Sequence, residues 1–86
     1  MKTRFEISRE VFSGGRLLKE CFEYYEEYYK EHGFILDKEL EEVYKEFDKE
    51  IHLNKGDSVE LHGSWIVEWK CVDLDKDVII YVLIEE

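Results

Sequence analysis

The chain has no proline, one methionine and only two cysteines in 86 residues. With no proline-rich or low-complexity stretch there is no candidate linker, and no internal repeat is present, so the sequence reads as one domain. The longest apolar run, Val78 to Ile84, is far too short to cross a bilayer. The opening MKTRFEISRE lacks the apolar stretch of a secretory signal. Cys21 and Cys71 lie fifty positions apart. That spacing points to two buried thiols in a reducing cytoplasm and not to a disulfide framework, with a single bridge between them left open. Basic residues are also scarce, 12 against 22 acidic ones, for a net charge of −10.

What the chain does have is aromatic and charged residues. Thirteen aromatic side chains offer large buried areas to a small core. Charged residues make up 40% of the chain, but 44% apolar content with clear periodicity indicates a folded protein and not a disordered one. The charge is uneven: residues 1–19 carry +3, residues 20–50 carry −8 and residues 51–86 carry −5. A negative field of this kind repels nucleic acid and anionic membrane and attracts basic protein surfaces, including those that hold DNA or RNA.

In chain order, Phe5 and Ile7 alternate with polar neighbours, which predicts a first strand that ends at Ser13-Gly14-Gly15. Leu17 to His32 then separates by chemistry when wound as a helix. Leu17, Leu18, Cys21, Phe22, Tyr24, Tyr25, Tyr28, Tyr29 and His32 fill an arc of roughly 160°. Gly33 suits the left-handed residue after that helix, with Phe34 folding back on Tyr28 or Tyr29. Leu36, Leu40, Val43, Tyr44, Phe47 and Ile51 keep helical spacing, which predicts a second helix capped by Asp37. After the turn Asn54 to Asp57 the period changes to two. Ser58–Leu61, Trp65–Val72 and Val78–Ile84 follow as strands, the last apolar on both faces and therefore central. Trp65, Val67, Trp69 and Cys71 are expected on one face of their strand. The expected fold is α+β in two layers: a small, mostly antiparallel sheet in β-α-α-β-β-β order, packed against a helical hairpin and with its first strand beside its last. In that arrangement helix one lies between helix two and the sheet, with Tyr28 among its core residues.

Catalytic chemistry finds little support. Thr3, Ser8, Ser13, Ser58 and Ser64 occupy no nucleophile-elbow context. His32, His52 and His62 share no metal-ligand spacing with each other or with the cysteines. Asp73-Leu74-Asp75-Lys76-Asp77 begins like a calcium loop, but Val78 stands where the glycine belongs and Ile84 where the glutamate does. The expectation is no enzyme, no cofactor and no metal.

Surface charge carries the functional reading. Glu20, Glu23, Glu26, Glu27 and Glu31 on helix one, with Glu39, Glu42 and Glu46 on helix two, would form rows of carboxylates resembling in kind the charge spacing of a phosphate backbone. Tyr24 and Tyr29 border the first row. The sequence thus predicts a non-catalytic acidic interaction module that occupies the basic groove of a nucleic-acid-binding protein, a logic used by small acidic inhibitors from phages and mobile elements. Direct binding to nucleic acid or membrane is not expected. The alternative is a structural protein that dimerises through an exposed sheet face at Ile79, Tyr81 and Leu83, unless those three belong to the core.

Overall fold

The computed structural model describes residues 1–8 and 26–86. Among these residues six strands form one mixed sheet: β1 (Lys2–Ile7), β2 (Ile35–Asp37), β3 (Glu42–Phe47), β4 (Ser58–Glu60), β5 (Ser64–Asp73) and β6 (Val78–Glu85), in the spatial order β2-β3-β1-β6-β5-β4. β1 lies parallel to β6, and every other pair is antiparallel. A helical turn at residues 26–31 is the longest helix among the described residues, and none is long and apolar enough to cross a membrane.

The helical hairpin expected from the sequence is therefore absent. Residues 35–47, read as a short connection followed by a second helix capped by Asp37, form the β2–β3 hairpin, with Leu36 opposite Val43 and Asp37 opposite Glu42. Asp37 still accepts a backbone amide, as its supposed capping role required. The donor is Leu40 at 3.0 Å, in the turn between the strands. The chain reverses through Glu41 at φ 54°, a left-handed conformation uncommon outside glycine. Helical spacing and strand alternation overlap here because Val43 and Phe47 satisfy both periods. Strand pairing with β1 decides between them, Thr3 facing Phe47 and Phe5 facing Lys45.

Only the last turn of the first expected helix falls within the described residues; Leu17, Leu18, Cys21, Phe22 and Tyr25 lie outside them. That turn ends as the sequence indicates. Gly33 sits at φ 80° and donates to Lys30 O at 3.1 Å, while the Phe34 amide reaches Tyr29 O at 2.9 Å. The Phe34 and Tyr29 rings meet edge to face at 5.4 Å, completing a Schellman closure. Tyr28, expected in the core, is instead exposed and packs edge-on against Tyr29 and His32.

One face of the sheet carries the core. Phe5, Ile7, Val43, Trp65, Val67, Ile79, Tyr81 and Leu83 cluster there with Tyr29 and Phe34. Segment 48–57 has no regular structure, and two core hydroxyls hold it against the sheet. Thr3 Oγ1 donates to Lys49 O at 2.7 Å and accepts from Ile51 N at 2.9 Å. Tyr81 donates to Ile51 O at 2.7 Å and accepts from Leu53 N at 2.9 Å. Irregular backbone can lie against a core only when its polar groups find such partners.

β6 is central, as its two apolar faces require, and β1 is its neighbour. The expected single face of β5 is broken. A bulge between Val67 and Trp69 shifts the register, so Val67 faces Leu83 but Trp69 faces Val82 and Cys71 faces Ile80. Trp65 and Val67 stay buried, whereas Trp69 and Cys71 turn to the opposite side and are exposed. The expectation of a buried thiol at position 71 is corrected by that one extra residue.

Candidate functional site

The face of the sheet opposite the core is polar at its β3–β1 end. Arg4, Glu6, Glu42, Tyr44 and Glu46 all project there, because alternate residues of a strand share a face and Arg4 is registered with Glu46 and Glu6 with Tyr44. Arg4 is the hub. Its Nη2 donates to Glu42 Oε2 at 2.7 Å, and its Nη1 lies 3.6 Å from Glu46 Oε1. Its Nε is 2.8 Å from Glu6 Oε1 in a geometry too bent for a hydrogen bond, so attraction there is coulombic. The guanidinium also stacks 3.6 Å over the Tyr44 ring. One cation thus meets three carboxylates, leaving the cluster acidic.

Two recesses adjoin it. One of about 430 Å³ opens over Arg4, Tyr44 and Ile80, with Lys2 and Lys76 at its rim. A second of about 310 Å³ is lined by Glu6, Ser8, Glu41 and Glu42 over Ile7, Val43 and Val82, with no basic side chain among the described residues that line it. The chemistry available is attraction of cationic groups. Among the described residues, no three of His, Cys, Asp or Glu converge to hold a metal ion. In the β5–β6 loop, Asp73 Oδ1 accepts the Lys76 amide at 3.1 Å.

The carboxylates expected to act together are divided by the fold. Glu20, Glu23 and Tyr24 lie outside the described residues. Glu26 binds Lys30 at 2.9 Å and Lys38 at 3.3 Å. The Lys30 hydrogen bond, then that of Lys38, holds its carboxyl below the usual range. The Lys38 contact brings the β2–β3 turn beside the helical turn. Glu27, Glu31, Glu39 and Glu41 are exposed in those two segments and make no ion pair among the described residues. Glu42 and Glu46 belong to the Arg4 cluster, not to a helical row. Tyr29 is a core residue, 8% exposed, and not a border of the acidic surface. Ile79, Tyr81 and Leu83 are core as well, with Tyr81 and Leu83 fully buried. They offer no surface for self-association.

Sequence reading missed a cluster of a different kind. His32 and His62 stack with ring centroids 4.4 Å apart, and Tyr28 packs edge-on against His32 at 4.6 Å. Lys45 comes from the core face of β3, caps the His32 carbonyl at 2.9 Å and lies 3.5 Å from His62 Nε2. Desolvation, then His32 and Lys45, pushes the His62 imidazole below its ordinary value. Thirty positions separate the two histidines in sequence, so only the β3 hairpin could have revealed the cluster.

Comparison of the chain with protein-family models, curated proteins and solved structures finds no match.

Proposed function

We propose that the protein is a non-catalytic acidic interaction module that binds a basic protein surface of the kind that holds nucleic acid. One observation carries this reading: the described residues contain nineteen acidic against nine basic side chains, so the whole net charge of −10 resides in them. Arg4 is engaged by three of those carboxylates, while the exposed carboxylates of segments 26–31 and 38–41 are left facing solvent. Helical rows of charge no longer support it. The acidic surface is built from turns and strand faces, and its field acts at range whatever backbone carries it.

The test is competition at controlled ionic strength. A basic DNA-binding protein bound to labelled duplex should release the duplex as this protein is added, and the apparent affinity should fall steeply with added salt. Replacing Glu39 and Glu41 with lysine should weaken the competition. Binding that ignores salt, or that leaves the duplex in place, would overturn the reading.

A further inference from the structure

β4 covers the outer side of β5 only from Ser64 to Ile66, and the preceding loop extends that cover by one residue. Gly56 N reaches Val67 O at 2.8 Å, and Val67 N reaches Asp57 O at 3.0 Å. Beyond the bulge, β5 pairs on one side alone among the described residues, from Trp69 against Val82 to Asp73 against Val78. Trp69, Lys70, Cys71 and Val72 are exposed in unbroken succession. Successive strand residues point to opposite faces, so four exposed in a row means that both faces of this stretch are open to solvent. The outward backbone N–H and C=O groups of this stretch have no backbone partner among the described residues.

Exposed strand edges are usually protected by shortness, charge or cover. β2 and β4, the two outermost strands, are only three residues long. The Trp69–Asp73 edge is longer and apolar, with Trp69 61% and Val72 46% exposed. Its single lysine, Lys70, lies over the Tyr81 ring at 5.7 Å. Acidic residues lie at and around the stretch, Glu68 before it, Asp73 at its end and Asp75 and Asp77 after it, against Lys70 and Lys76.

We infer that the outer edge of β5 from Trp69 to Asp73 is a docking site for an extended, basic segment of another protein, which adds to the sheet as a further strand. This rests on the reading of the protein as a binder of basic proteins and says where such a partner attaches. Unpaired backbone groups select an extended chain, the acidic surroundings select positive charge, and Trp69 with Cys71 offers apolar contact to alternate side chains. A second copy of this chain satisfies the backbone equally well, but brings a net charge of −10 against another −10.

The experiment titrates the full chain with a short synthetic peptide alternating lysine and valine, and with the same peptide carrying a central proline. Amide hydrogen exchange is read residue by residue. The first peptide should slow exchange at Trp69–Asp73, and the proline peptide, equal in charge, should bind about tenfold or more weakly. Val72→Lys, at an exposed position, should weaken the first peptide. Equal binding of both peptides, or protection elsewhere, overturns strand addition while leaving the acidic reading intact. So does sedimentation showing the edge filled by a second copy. If the peptides fail but salt-sensitive competition succeeds, the edge proposal alone falls; if both fail, both readings fall.

Discussion

The two faces of the sheet solve opposite problems with the same strands. On one face of β1 and β6, Phe5 stacks on Tyr81 at 5.6 Å and meets Phe47 edge-on at 5.8 Å, with Leu83 fully buried beside them. Thr3 and Tyr81 bring two hydroxyls to that face, each accepting and donating once to segment 48–57. On the other face the same strands present Arg4, Glu6, Val82 and Ile80, which are only partly buried. Stability therefore belongs mainly to the aromatic face, and charge chemistry to the other.

The largest expected effect breaks the aromatic face. Leu83→Ala removes a fully buried side chain and should cost about 2–5 kcal/mol, measured by urea unfolding. A loss below about 1 kcal/mol would mean that the site collapses easily and is not the packed centre.

Arg4→Met should cost less, about 1–3 kcal/mol. It leaves Glu6, Glu42 and Glu46 without their common cation, but the Arg4 side chain is 19% exposed and its partners more so, allowing water to take over part of the role. The variant should also raise competition for a basic partner, since three carboxylates are released. If Arg4→Met matched Leu83→Ala in cost, the contrast between the faces would not hold.

The contrast was partly legible in the sequence. The double apolar face of Val78–Ile84 marks a central strand, and Gly33-Phe34 marks a helix end, because each depends on local residue chemistry. The β2–β3 hairpin was hidden for a physical reason. Its turn uses Glu41 in a left-handed conformation and contains neither glycine nor proline, so nothing interrupts the apparent helical spacing of Leu36 to Ile51. Lys45 deepened the disguise: it occupies a core-facing position yet sends its ammonium to the His32 carbonyl. The bulge at Val67/Trp69 leaves no mark in residue type, which is why Trp69 and Cys71 were assigned the wrong face. The Arg4 cluster was unreadable for the same reason as the hairpin, since its glutamates come together only when β3 pairs with β1.

The smallest expected effect lies where the two turns meet, at His62. Partial desolvation of the exposed ring, then His32 and Lys45, disfavour the imidazolium, so its folded-state value lies below its ordinary one near 6.5. Between those two values the unfolded chain binds more protons than the folded one. Stability contributed by this group is therefore fully present above about pH 6.5 and is lost as pH falls toward the lowered value. Urea unfolding at a series of pH values should show stability rising with pH across that window. His62→Asn should flatten the rise, since asparagine tolerates the φ of 51° at this position and brings no titrating ring. An unchanged slope in His62→Asn would place the proton uptake elsewhere. The meeting of the helical turn with the β4–β5 turn would then owe nothing to the titration of His62, and would rest on the Lys45 cap on the His32 carbonyl and on ring contact that does not depend on pH.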